Sequence, residues 1–435
     1  MAFAPMTGVR VVDFTWNVAG PTATKVLAAL GADVVKVEYP TRPDPGRVFS
    51  FSPVVPGVYD SGGFFADLNI GKRSLTVDPR QPAGLALVEE LVEAADVLVE
   101  SYSPRVMAGW GLTFDRMCEL NDRIVYLSIS GFGHSGPHGS YVSYGPTAQA
   151  ASGVTYASGE PGRPPAGWGY SFLDVMTGYQ AAYAVTAALA PVERAATRID
   201  LSQVETGAAM LAPLLLDAAV NGTDTTAGPF PPGNRSAWPG SAIDGYRYER
   251  GAPYGVYRTA DDGTDGFCAI TVLDDAQWAA LRDCMGDPDW ARDPAYATAG
   301  GRIAEQDTLD AHLTAWTVLH SKYDLMARLQ AAGVPAGALQ SGRDRLEHDP
   351  SLRAREVFQR RTHAWVGEHR FGSLPVHIDG EPLALADRWP LLGADTDAVL
   401  AEWLGADPAR CADLRESGVT WPVGLPLPSY YPQAV

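Results

Sequence analysis

The run Val9-Arg10-Val11-Val12-Asp13-Phe14, the turn Thr15-Trp16-Asn17-Val18-Ala19-Gly20-Pro21 and the run Ala32-Asp33-Val34-Val35-Lys36-Val37-Glu38 decide the fold. The first and last are short, apolar and rich in valine, as strands buried on both faces are. Between them Pro21 opens a helix, where its missing N–H costs nothing. Val26, Leu27 and Leu30 share one face of that helix, and Gly31 ends it. Strand, helix and strand make a βαβ unit, from which parallel doubly wound sheets are built.

The pattern recurs outward from this unit. Residues 73–77, 96–100 and 124–129 predict strands, and 82–95 an amphipathic helix. Sheets of this kind bind ligands beyond the carboxyl ends of their strands. The segments to watch are therefore 15–20, 39–42, 101–105 and 130–136. Helices are predicted over 175–189 and 201–220, and a last one over 396–404. Residues 228–240, rich in Gly, Pro and Ser, read as a linker or a binding loop. Strand signals return at 369–371 and 375–378. The division is a large Rossmann-like domain begun by 1–225, a linker over 226–252, a small α+β domain over 253–332, and a return to the large domain over 333–435.

Composition bounds the function. A chain of 435 residues with 46% hydrophobic content is globular and too long for one simple core. A net charge of −18 disfavours nucleic acid and anionic membranes as partners. An anionic ligand needs cations gathered locally, and lysine is confined to Lys25, Lys36, Lys72 and Lys322. Cys118, Cys268, Cys284 and Cys411 are widely spaced and have no zinc-site pattern, so neither a disulfide framework nor a metal is expected. No apolar run reaches the ~18 residues of a membrane span, and the first residues lack the pattern of a signal peptide. The expectation is a cytoplasmic protein.

Few motifs carry chemistry. Gly131-Phe132-Gly133-His134-Ser135-Gly136 matches a dinucleotide fingerprint in letters, but Pro137 stands where the helix should begin. His134 and His138 have no evident third partner for a metal. There is no Gly-x-Ser-x-Gly elbow and no phosphate-binding Gly-Lys-Ser/Thr loop. Asp174, in Ser171-Phe172-Leu173-Asp174-Val175, sits at the start of an apolar helix. By itself it reads as a helix cap or as a carboxylate held ionised by free N–H groups and able to attack a thioester.

Taken together, the segments resemble family III (CaiB/BaiF-type) CoA-transferases, of the formyl-CoA transferase kind. The likeness runs through Val12-Asp13-Phe14-Thr15, Ala19-Gly20-Pro21, Leu30-Gly31-Ala32-Asp33 and Asn69-Ile70-Gly71-Lys72-Arg73-Ser74. It continues through Ala95-Asp96-Val97-Leu98-Val99-Glu100, Ser128-Ile129-Ser130-Gly131-Phe132-Gly133, Ala148-Gln149-Ala150, Gly159-Glu160-Pro161 and the Asp174 segment. It ends at Gly333-Val334-Pro335-Ala336-Gly337 and Leu392-Gly393.

The resemblance implies a large domain made from both chain ends, an interlocked homodimer, and acyl-CoA and a carboxylic acid as substrates without a tightly bound cofactor. It makes Asp174 the nucleophile. It places coenzyme A (CoA) at Trp16, Asn17, Val18, Ala19, Lys72, Arg73, Ser101 and Tyr102, with Arg42 and Arg105 as further cations. Tyr39, Ser101-Tyr102 and Gly109 depart from residues usual in the family, so the phosphate contacts are rewired. Gly233 and its neighbours are the candidate oxyanion loop. Trp168, Trp238, Tyr246 and Tyr248 are candidate walls for the acyl group.

The racemases of the same fold use a Gly-His-Asp segment, and here it reads Ser143-Tyr144-Gly145-Pro146. A racemase, an intramolecular CoA transfer and a non-catalytic acyl-CoA binder are the rival readings.

Overall fold

The structure is a computed structural model. It describes residues 3–39, 42–47, 59–158, 167–169, 171–221, 242–243, 246–247 and 251–421. Gly233, Trp238, Tyr248 and most of 226–252 lie outside the described residues, as does the chain beyond 421.

The chain divides into two compact units. The larger comprises Met1–Val154, Gly167–Asp217 and Ser351–Val435, and the smaller Thr155–Ala166 and Ala218–Pro350. Both chain ends thus build the large unit, and the small unit runs on to Pro350.

The large unit is organised by a six-stranded, wholly parallel sheet. Its strands are β1 (Arg10–Phe14), β2 (Asp33–Glu38), β3 (Arg73–Thr76), β4 (Val97–Glu100), β5 (Val125–Ser130) and β6 (Thr197–Ser202). Their order is β3-β2-β1-β4-β5-β6. Successive side chains leave to opposite faces, and both faces are covered. Val12, Phe14, Val35, Leu75 and Leu98 pack with the Pro82–Glu93 and Thr396–Leu404 helices. Val11, Val34, Val97, Val99 and Leu127 pack with the Ala19–Ala29 and Phe172–Leu189 helices.

β6 corrects the expectation of one helix over 201–220. Thr197-Arg198-Ile199-Asp200-Leu201-Ser202 alternates polar and apolar residues as a half-exposed edge strand does, and pairs along β5 from Val125↔Thr197 to Ser130↔Ser202. Helices begin only afterwards, at Gln203–Met210 and Ala212–Asn221. The late strands do not enter this sheet: Phe358–His363 and Gly367–Gly372 form their own hairpin. In the small unit Ala336–Ala338, Phe267–Thr271 and Tyr254–Arg258 form an antiparallel sheet.

Two features place the site. First, the Phe172–Leu189 helix lies tightly on the Ala19–Ala29 helix. A Cβ on Gly178 would stand 2.6 Å from the Thr22 Cβ and 2.7 Å from the Ala19 carbonyl oxygen, so only glycine permits the approach. Second, a buried charge network lies under the β1–helix turn. Asp13 accepts from the Thr15 N–H at 2.8 Å and from the Thr24 hydroxyl at 2.7 Å, and pairs with the Lys72 ammonium at 3.1 Å. Lys36 donates to the Thr15 carbonyl at 2.7 Å and pairs with Asp44 at 3.0 Å. Asp44 in turn accepts from the Asn17 N–H at 3.2 Å. Two cations balance two anions, all fully buried.

Removing one member strands its partner. Lys72→Met is expected to cost about 3–5 kcal/mol by leaving Asp13 undercompensated, read as a lowered midpoint of urea unfolding with an unchanged slope.

Candidate functional site

The strand order reverses between β1 and β4, which opens a crevice at their carboxyl ends. The turn after β1 and the turn after β4 meet there, the Trp16 N–H donating to the Ser101 hydroxyl at 2.9 Å. Four of the sequence-predicted residues therefore come together: Trp16, Asn17, Ser101 and Tyr102. Val18 and Ala19 follow, both buried, at the head of the Ala19–Ala29 helix. Asn17 has φ of 60°, a left-handed conformation that asparagine tolerates better than most residues.

The crevice wall is aromatic. Trp16 meets Tyr102 edge-on at 5.0 Å, Tyr102 meets Trp110 at 5.8 Å, and Trp110 meets Tyr39 at 6.0 Å. Tyr39 thus fills, as a buried ring, the position where the resemblance had placed a cation. Tyr102 is likewise enclosed.

The four candidate cations separate into two pairs. Lys72 is fully buried and engaged by Asp13, by the Asn69 side-chain oxygen at 2.8 Å and by the Pro21 carbonyl at 3.2 Å. Burial pushes its ammonium down to about 8, against the pull of Asp13. Arg73 begins β3, at the amino end of the sheet, and pairs with Asp33 at 3.0 Å and Glu402 at 2.7 Å. Neither ammonium nor guanidinium faces the crevice as a free cation. Arg42 and Arg105 differ: both are exposed, and Arg42 lies 5.2 Å over the Trp16 ring. Sequence reasoning could not separate the pairs, because a cation near a strand reads alike whether it faces a ligand or a buried acid.

Asp174 lies two residues into the Phe172–Leu189 helix and is 9% exposed. Ser171 precedes the helix with φ of 48°. Burial raises the Asp174 carboxyl above its ordinary 3.8, while hydrogen bonds from Gln203 and Ser171 work in the opposite sense. The Gln203 side-chain N–H donates to Oδ1. Oδ2 lies over Gly145, where an added Cβ would collide with it. Sequence reasoning missed Gln203, and the signal that could have found it is the alternation of β6, which it directly follows. Trp168 and Phe172 meet edge-on at 4.5 Å just before Asp174, and the Gln149 amide donates to the Trp168 carbonyl at 3.1 Å. Tyr144 is 73% exposed.

Glu100 is a further buried acid beside the crevice. It accepts from the Tyr102 N–H at 2.7 Å and from the Tyr126 hydroxyl at 3.3 Å, with the His134 Nε2 at 3.5 Å. Among the described residues no cluster of His, Cys, Asp and Glu suits a metal ion. No helix among them is long and apolar enough to cross a membrane.

The fold and site define a Rossmann-like α/β protein with a ligand crevice at the sheet's reversal point and a buried carboxylate at a helix start. The chain belongs to CoA-transferase family III, whose model matches residues 6–396. Its substrates are accordingly CoA esters and carboxylic acids. It is 32% identical over 355 residues to a succinate–glutarate CoA-transferase of Agrobacterium fabrum, covering 81% of this chain and 84% of that one. It is 31% identical over 436 residues to a formyl-CoA:oxalate CoA-transferase of Bradyrhizobium diazoefficiens, covering 96% and 97%. A crystal structure of a CaiB/BaiF family protein from Brucella suis superposes with a TM-score of 0.79 at 30% identity, covering 92% of this chain and 99% of that one.

Glu100 gives the site a pH signature. Burial pushes its carboxyl up to about 8 from 4.5. Between those values the native state holds a proton that the unfolded chain has released. The group's contribution is therefore full below 4.5 and is lost as pH rises through 8. Glu100→Gln keeps the acceptor for Tyr102 and removes the dependence. Its stability relative to wild type is expected to rise by on the order of 3 kcal/mol between pH 5 and 8 in urea unfolding.

Proposed function

We propose that Asp174 is the nucleophile of a CoA transfer through covalent aspartyl intermediates. The observation that carries this reading is the Asp174 carboxylate itself: buried, hydrogen-bonded at Oδ1 by Gln203, and with Oδ2 lying over the bare backbone of Gly145. The carboxylate attacks the acyl-CoA carbonyl carbon, the C–S bond breaks, and CoA leaves as a thiolate with its electron pair. The product is a mixed anhydride of Asp174 and the donor acid. The thiolate, still bound, attacks the aspartyl carbonyl carbon and expels the donor carboxylate, leaving an aspartyl-CoA thioester. The acceptor acid then repeats both steps in reverse order. Holding CoA throughout makes each return of the thiolate effectively intramolecular.

CoA binds along the 15–18 and 101–102 turns, with Arg42 and Arg105 taking its phosphates. Lys72 serves at one remove by fixing Asp13 and so the turn. The enzyme works in the cytoplasm as an interlocked homodimer. The acids named for its relatives, succinate, glutarate, oxalate and formate, are the first panel of donors and acceptors to assay.

Exposure of Tyr144 and the crowding of Gly145 against Asp174 weigh against a racemase, which needs a second acid–base group at this segment.

Hydroxylamine added with an acyl-CoA is expected to yield a hydroxamate at Asp174 by mass. Asp174→Ala is expected to abolish it and to lower turnover by about three orders of magnitude or more. Exchange of the acyl α-proton with D2O, without an adduct, would sink the reading in favour of a racemase. Gly145→Ala is expected to keep the fold by circular dichroism and to lower kcat by about tenfold or more, because its methyl displaces Oδ2.

A further inference from the structure

The two oxygens of Asp174 are not equivalent. Oδ1 is engaged by the Gln203 amide, and Oδ2 is pressed over Gly145. The amide is itself firmly placed. Gln203 is buried and opens the Gln203–Met210 helix directly after β6. The preceding residue caps that helix, the Ser202 hydroxyl accepting from the Glu205 N–H at 3.2 Å. The following residue is tied across to the turn after β5, the Val204 N–H donating to the Gly131 carbonyl at 2.9 Å.

We infer that Gln203 is the positioning residue of the nucleophile and the hydrogen-bond donor to Oδ1 when that oxygen becomes an oxyanion. The inference rests on Asp174 acting covalently, as proposed above. In the first step Oδ2 attacks the thioester and Oδ1 becomes the aspartyl carbonyl oxygen of the anhydride. In the second step the CoA thiolate forms a C–S bond to the aspartyl carbon, and the C=O electron pair moves onto Oδ1. The Gln203 N–H stabilises that charge with no proton transferred. The pair then returns, the bond from the aspartyl carbon to Oδ2 breaks, and Oδ2 leaves with the donor carboxylate. The Gln203 donor thus favours Oδ2 as the attacking oxygen, acts with Ser171 to favour the ionised nucleophile, and stabilises the later intermediate. A neutral amide suits all three tasks, since a cation there would pair with the carboxylate and blunt its attack.

The test compares wild type with Gln203→Glu, which keeps the shape and removes the donor, and with Gln203→Asn, which keeps the donor on a shorter stem. Formation of the aspartyl-CoA thioester is followed in a single turnover with saturating acyl-CoA, across pH, with hydroxylamine trapping. Gln203→Glu is expected to slow thioester formation by about 10- to 100-fold. It is also expected to move the acid limb of the rate profile to higher pH, with little change in the KM for acyl-CoA. Gln203→Asn is expected to recover part of the rate and to return the limb toward wild type. A merely structural role would lower the amount of active enzyme without moving the acid limb. A wild-type adduct at Asp174 with an unmoved limb and rate in Gln203→Glu overturns the inference alone. An absence of any adduct in wild type overturns the covalent reading and this inference with it. Should Gln203→Glu fail to fold, Gln203→Asn decides: an acid limb that stays at its wild-type position overturns the inference, and a slowed step with a limb displaced to higher pH supports it.

Discussion

The buried pairing of Asp13 with Lys72, extended through Lys36 and Asp44, is the constraint on which the site depends. Two cations and two anions enclosed by apolar strands are stable only when every charge is met. The geometry that meets them also fixes the chain. Asp13 holds the Thr15 N–H, Lys36 holds the Thr15 carbonyl, and Asp44 holds the Asn17 N–H. The turn after β1 is thereby set as a rigid rim of the crevice, with Asn17 kept in its left-handed conformation. The network uses half of the protein's lysines for construction, which explains why Lys72 and Lys36 are not available to a ligand.

The Asp174 carboxylate is placed by packing rather than by charge. Gly178 lets the Phe172–Leu189 helix press onto the Ala19–Ala29 helix, and Asp174 lies one turn upstream of that contact. Gly145 and Gln203 then complete its surroundings from two other elements, the first residues of the Gly145–Ala151 and Gln203–Met210 helices. The carboxylate therefore depends on three separate stretches of chain for its position. Burial raises its proton affinity, and the donors at Gln203 and Ser171 lower it again.

A good part of this was legible in the residues. The valine-rich runs around Asp13 and Lys36 announced the parallel sheet, because strands buried on both faces must be apolar throughout. Trp16, Asn17, Ser101 and Tyr102 could be named because ligands bind where such strands end. β6 was harder: Ile199 and Leu201 alternate with exposed polar residues on an edge strand, beside an apolar helical run that masks the boundary. Gln203 was missed with it. Lys72 and Arg73 were read as ligand cations because adjacent letters cannot show that one reaches Asp13 beneath a helix while the other reaches Glu402.

The sequence alone determined the class of fold and the family resemblance and singled out Asp174 as a candidate, since each rests on local pattern and order along the chain. Only the tertiary structure decided which cations remain free, which oxygen of Asp174 is held, and why position 145 carries no side chain. The physical reason is distance: those outcomes are set within about 3 Å between residues far apart in the chain, where hydrogen bonds and steric exclusion act. No periodicity or propensity records such separations.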